Sequence, residues 1–342
     1  MDFALSAERR QFSASLHDML AAADGPAAAR SWAAGDRKPG LAIWRSLADA
    51  GVTGLMVASE RGGLGADPVD LVIACEEIGH HAVPGPVSES IAAVPLLLAT
   101  GKAGEQGSGP EQWLRQLAGG ELIATMACPP RLPLAADADA AGLILLAEPD
   151  AICVGVAGRA RESVDATRTL AQVSAGEMIA RGPRAADAVA RALESGTLAC
   201  AAQLLGAGRA LLQASARHAR QRIQFGQPVG AFQAVKHHLA DVLIGLEFAR
   251  PLVFGAAIAL GTGGGDTGWA GVARDVSAAK VACADAASRA ARIALQVHGA
   301  IGYTAEHDIS LYLTKVRALA PAWGGQAEHR ARVLAALTGE GS

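Results

Sequence analysis

Aromatic residues make up only 4% of this 342-residue chain, and the formal charge at neutral pH is just −3. So small a charge excludes a basic groove for nucleic acid. With so few rings, a core of this size has to be built from small residues on closely approaching helices. Cysteine is scarce as well. Cys75, Cys128, Cys153, Cys200 and Cys283 form no Cys-x-x-Cys pair and are odd in number, which points to reduced, mostly buried thiols rather than a disulfide framework. The N-terminus Met-Asp-Phe-Ala-Leu-Ser-Ala-Glu-Arg-Arg lacks a basic head followed by an apolar run, so no secretion signal is expected. No uninterrupted apolar span reads as long enough to cross a bilayer. The expectation is a cytoplasmic globular protein.

A metal site is not expected either. His80-His81 and His237-His238 are adjacent pairs, and helical neighbours point to different faces. Neither pair reads as having a carboxylate or cysteine at ligand spacing.

What is present is mostly helical periodicity. Ser6 can cap a helix running toward Ala22, and Leu41, Ile43, Trp44 and Leu47 have helical spacing between Gly40 and Ala50. Pro68 to Gly79 places Leu71, Val72, Cys75 and Ile78 on one face. The glycine-rich stretch Gly51 to Gly65 has no Gly-Lys-Ser/Thr and no preceding strand, which favours an inter-helix loop over a phosphate cradle. Between Leu122 and about Ser174, short apolar runs such as Leu143-Ile-Leu-Leu-Ala and Ala151-Ile-Cys-Val-Gly-Val predict three to five strands. From about Ala185 onward the helices are long. Leu198, Ala201, Leu205, Gly208, Leu212, Ser215 and Ala219 form one stripe; Val235, Leu239, Val242, Leu246, Ala249 and Val253 form another. Gly261 to Asp266 reads as the connector between two bundle helices.

Chemistry concentrates in Gln221 to Gln233, which reads Gln-Arg-Ile-Gln-Phe-Gly-Gln-Pro-Val-Gly-Ala-Phe-Gln. Around a Gly-Gln-Pro turn it gathers a forked donor for phosphate oxygens in Arg222, a flat face in Phe225, and amides in Gln224 and Gln233. Such a corner can grip an anionic, flat-ringed ligand. A polar turn with one buried Phe would explain the same residues. A second cluster, Gln296-Val-His-Gly-Ala-Ile-Gly-Tyr-Thr-Ala-Glu306, sets another amide beside glycines that permit close approach.

In order and spacing, Arg-x-Gln-Phe-Gly, the later Phe-Gln, and Gln-x-His-Gly-x-Ile-Gly-Tyr-Thr-x-Glu resemble the C-terminal domain of the acyl-CoA dehydrogenase family. Glu60-Arg-Gly-Gly-Leu-Gly followed by Glu76-Glu-Ile-Gly is similar to that family's N-terminal domain. The resemblance implies a mainly α fold with a helical domain at 1–120, a reduced β domain at 121–182 and a helical bundle at 183–342. The β domain reads as eroded: Ala124-Thr-Met-Ala-Cys-Pro-Pro stands where the family carries Thr-Glu-Pro, no Gly-Ser-Asp follows, and no Trp lies between Trp113 and Trp269. Val164-Asp-Ala-Thr-Arg168 does resemble the family's closing strand.

The family desaturates acyl-CoA thioesters at the 2,3 position, with a carboxylate base and the flavin of FAD. Carried onto this chain, one usual base position falls on Trp323 and the other on Gly196, neither of which can take a proton. Glu194 is two residues from the second, a turn of roughly 200° on a helix, and reads more simply as a solvated charge near a helix start. Glu306 and Asp308 read as loop-holding groups. By resemblance, Arg222, Gln224, Phe225, Gln233, Gln296, Gly299 and Ala300 would hold the nucleotide end of a neighbouring subunit's FAD, with Ala300 replacing a usual glycine. The pattern resembles the short, base-less subunit of heterotetrameric (α2β2) acyl-CoA dehydrogenases, including those acting on steroid side chains, which pairs with a longer family member. Two other readings stay open: a self-sufficient homo-oligomer with Glu194 as base, and a flavin-free assembly or regulatory protein.

Overall fold

The computed structural model describes residues 5–101 and 109–339; Met1 to Ala4, read above for a leader, lie outside them. The N-terminal part is helical: α1 (Ala7–Ala22), α2 (Gly25–Ala33), α3 (Lys38–Asp49) and α4 (Pro68–His80), then a π-helical stretch Ser88–Ala93 that runs into α5 (Val94–Leu98), and α6 (Pro110–Ala118). The Ser6 side chain accepts the Arg9 N–H and so caps α1, as the sequence suggests. Apart from Asp70, every residue of α4 is buried, not only the single stripe expected. It is sandwiched, with α1 on one side and the long bundle helices on the other.

Seven strands follow: β1 (Ala124–Ala127), β2 (Ala135–Ala136), β3 (Leu143–Glu148), β4 (Ala151–Ala157), β5 (Arg161–Glu162), β6 (Thr169–Ala171) and β7 (Val173–Arg181). They form a four-stranded sheet in the order β1-β3-β4-β7, with β1 and β3 parallel, and a three-stranded sheet β2-β6-β5. Three to five strands had been expected. Strands of two or three residues carry no readable alternation, and β7 is largely exposed, so its apolar signal is faint.

The rest is a bundle: α7 (Pro183–Gln221), a small hairpin of β8 (Ile223–Gln224) and β9 (Gln227–Pro228), α8 (Gln233–Thr262), α9 (Gly268–His298), α10 (Asp308–Leu319) and α11 (Gln326–Thr338). Both predicted stripes face inward, from Leu198 through Ala219 on α7 and from Val242 through Val253 on α8. Helices approach to backbone contact where side chains vanish. A Cβ on Gly206 would lie 1.9 Å from the Glu76 carbonyl oxygen, and one on Gly79 would lie 2.2 Å from that of Gln203, so these two glycines set the spacing of α4 on α7. The five cysteines are free and buried.

α8 is long and apolar enough to cross a bilayer by length and composition alone, with a mean hydropathy of 1.7 over its most apolar window, a property that a helix packed into a bundle shares. Its inner side packs on α7, α9 and α4. Its outer side leaves Leu243, Ile244, Phe248 and Leu252 between 44% and 72% exposed.

Candidate functional site

The end of α7, the start of α8 and the end of α9 share one end of the bundle. There the rings of His218 and His298 meet at 4.2 Å, and His298 meets His307 at 5.1 Å. The connecting turn is centred on Phe225 and Gly226, with φ of +53° and +78°, not on Gly-Gln-Pro; Gln227 and Pro228 form the returning strand. Two consecutive left-handed residues give the twist of a tight hairpin. For an aromatic residue that conformation is an outlier that costs energy.

Phe225 is nevertheless 91% exposed, with only an edge contact to Phe232 at 6.1 Å. A turn with a buried Phe is therefore not what this segment forms. Arg222 is exposed and has no ion pair among the described residues, Gln224 donates to its neighbour's carbonyl (Ile223), and Gln233 is exposed. On the α9 side Gln296, Gly299 and Ala300 are exposed too, and Gly299 has φ +66°, which favours glycine. All seven residues thus face outward from one end of the bundle. None of the seven lines the cleft of about 1340 Å³ between α8, α9 and α10, which is bounded by Phe248 and Leu252 of α8, Arg289 and Arg292 of α9, Tyr303, and Arg317 of α10. These arginines escaped the sequence reading. Arg289 and Arg292 are three apart on one helical face, the spacing that could have revealed them.

The two usual base positions also meet, but they are closed. A Cβ on Gly196 would lie 2.2 Å from the indole of Trp323, which is 1% exposed and sits at φ +62°. Nearby Glu89 is 2% exposed; burial raises its pKa, opposed by Arg168 at 3.9 Å and by the Trp323 indole. Burial also pushes Asp137 up to about 7. The Val164-to-Arg168 segment closes this interior, with Asp165 3.7 Å from the Lys315 ammonium.

Glu194 is neither solvated nor near a helix start. It lies well inside α7, is 3% exposed, and its Oε1 accepts from Arg332 at 2.6 Å and Arg131 at 3.3 Å. The helix begins earlier than Ala185 because Pro183 occupies its first turn. Arg332 continues to Ser277 Oγ at 2.9 Å, Ser277 Oγ is 3.1 Å from His329 Nδ1, and His329 Nε2 is 3.0 Å from the Trp323 carbonyl oxygen. Each of these contacts has a donor and an acceptor if Nε2 carries the His329 proton, while Glu194 Oε2 is buried without a partner among the described residues. Burial supports that neutral ring by pushing its pKa down to about 4. Glu194 thus anchors the loop that holds Trp323 over Gly196. Asp308 and the Glu306 carbonyl both receive Arg30 of α2, consistent with loop-holding roles.

The histidine reading needs correction. His80 ends α4 and His81 caps it, so the pair is not confined to helical directions; with His17 of α1 their rings cluster at 4.8 to 5.2 Å. A carboxylate is at ligand spacing after all. Glu77, four residues before His81, has Oε2 2.9 Å from His17 Nδ1.

Comparisons with known proteins agree with this architecture. Residues 6–121 match the acyl-CoA dehydrogenase N-terminal domain and residues 186–338 the acyl-CoA dehydrogenase C-terminal domain. The chain is 30% identical over 313 residues to acyl-CoA dehydrogenase IpdE2 of Mycobacterium tuberculosis, covering 90% of each. In fold it is similar to the ChsE4-ChsE5 complex from Mycobacterium tuberculosis, with a TM-score of 0.80 at 22% identity over 99% of both chains. The Tcur3481-Tcur3483 steroid ACAD G363A variant gives a TM-score of 0.80 at 21% identity, over 98% of this chain and 99% of that one. With both terminal domains matched and a relative aligned along nearly its whole length, this chain belongs to the acyl-CoA dehydrogenase family of oxidoreductases.

Proposed function

We propose that this chain is the base-less subunit of a heteromeric, FAD-dependent acyl-CoA dehydrogenase. Its three parts, at 1–120, 121–182 and 183–342, keep the family's bundle and shrink its β domain. The observation that carries the reading is a pairing of opposites: both base positions are sealed by Trp323 packed on Gly196, while the corner around Arg222 and Phe225 is open and strained. The sealed interior does not fit a reacting flavin ring and thioester. The corner fits the nucleotide end of FAD.

When bound, FAD would supply hydride acceptance, on a ring held by the longer partner together with the catalytic carboxylate. This chain's residues would bind and orient. Arg222 presents its fork to phosphate oxygens, and Phe225 offers a ring face. Gln224, Gln233 and Gln296 offer amides, while Gly299 and Ala300 bring backbone close. The exposed apolar face of α8 is the surface a partner would cover. A bulky acyl-CoA, such as a steroid side-chain thioester, is the substrate class we favour. It is supported by the resemblance to base-less subunits and by the named activity of one fold relative.

The self-sufficient reading with Glu194 as base is disfavoured by that residue's two arginine partners and its burial. In the purified heteromer, Arg222→Ala should weaken FAD retention, whereas Glu194→Gln should leave turnover per bound flavin close to wild type. Undiminished FAD binding in the first variant, or loss of proton abstraction in the second, would reject the proposal. A protein that stays colourless with every longer family member would favour the flavin-free reading instead.

A further inference from the structure

Remote from the corner, three imidazoles and a carboxylate converge where α1 packs on the C-terminal end of α4. His17 comes from α1, Glu77 and His80 from the last turn of α4, and His81 from its cap. A tetrahedral Zn2+ with bonds of about 2.0–2.1 Å has edges between ligand atoms of about 3.4 Å. Here His17 Nδ1 lies 2.9 Å from Glu77 Oε2 and 3.2 Å from His81 Nε2, and the third edge, His81 Nε2 to Glu77 Oε2, is 4.0 Å. These edges bracket the tetrahedral value. A ring nitrogen of His80 joins the other two imidazoles with all three ligand atoms inside 4.8 Å of one another.

Hydrogen bonding alone leaves the cluster unresolved. One proton on His17 Nδ1 would have to serve both Glu77 and His81, and His80, only 7% exposed, keeps Nδ1 with no partner among the described residues. Arg209 donates to Glu77 Oε1 at 3.3 Å, which orients the carboxylate with Oε2 toward the histidines in the manner of an outer-shell partner. Arg209 is itself paired with Glu76, which offsets its charge. The His17 side chain is 40% exposed and leaves a way in.

From this geometry we infer that His17, His80, His81 and Glu77 form a Zn2+ site of three nitrogens and one oxygen that staples α1 to α4. The site is independent of the flavin corner. Three converging imidazoles with the Glu77 carboxylate beside two of them have the ligand types of a Zn2+ site.

The test uses the untagged full-length chain, with its partner if that is needed for solubility, stripped with a chelator and titrated with Co2+ as a spectroscopic stand-in. One equivalent should bind with the visible d–d bands of a tetrahedral ion, and Zn2+ should displace it and raise the thermal midpoint. His17→Gln, at a half-exposed position, should weaken binding at least about tenfold without preventing folding; His81→Ala should abolish the bands. The surface variant His237→Ala should change neither. Octahedral Co2+ spectra, or tetrahedral bands that survive in the His17 variant, would overturn the assignment.

Discussion

A methyl group is enough to test the sealed interior. Gly196→Ala would place its Cβ 2.2 Å from the Trp323 ring, and the ring is fixed by its own burial and by the His329 contact to its carbonyl. Overpacking of this kind costs about 1–3 kcal/mol. Chemical denaturation should show that loss for Gly196→Ala, and a smaller combined loss than the sum of singles when Trp323→Leu is added. Strict additivity would mean the two positions do not touch. Glu194→Gln probes the same interior from its polar side. Two arginines would lose their carboxylate, so stability should fall by about 3 kcal/mol or more, with turnover per flavin unaffected. At this scale the sequence was half legible. Gly196 and Trp323 were found as empty base positions by resemblance, but their contact across the fold, and the burial of Glu194, depend on tertiary packing that no local pattern encodes.

Among the elements, α11 is docked by titratable groups. Its His329 is held neutral in the fold, burial pushing its pKa down to about 4 from the ordinary 6.5. A depressed pKa means the unfolded chain binds more protons between those values, so the contribution is complete above about pH 6.5 and is lost as pH falls toward 4. Hydrogen exchange should show α11 protection weakening across that window, and His329→Gln should flatten the dependence relative to wild type. An identical pH profile in the variant would assign the effect to other histidines.

The contact of α4 with α7 gives a second test, since Gly206→Ala drives a Cβ to 1.9 Å from a carbonyl oxygen. A loss of about 3 kcal/mol, at the upper end for overpacking, should appear as a lowered thermal midpoint. The bundle helices were the most legible part of the sequence, because long stripes such as Leu198 to Ala219 repeat their signal over many turns. The β region was the least. β2, β5 and β6 are held by pairing partners rather than by periodicity, and the π-helical stretch Ser88–Ala93 has no sequence signature of its own.

For the molecule as a whole, the outer face of α8 and the strained corner need something to cover them. Leu243, Ile244, Phe248 and Leu252 form a stripe on an otherwise well-packed bundle, and Phe225 holds a costly conformation that its own chain does not repay with contacts. In the account offered here a longer family member covers both. Phe248→Asp should then release the partner in sedimentation experiments while far-UV circular dichroism stays unchanged; a heteromer that persists would move the interface elsewhere. The corner's composition was legible in the sequence, but its exposure was not, since a turn with a buried Phe would have the same residues. The most direct measurement is the flavin absorbance of this chain purified alone and co-purified with a longer family member. The account predicts no stoichiometric flavin in the lone chain and bound FAD in the complex. A yellow, fully active lone chain would contradict it.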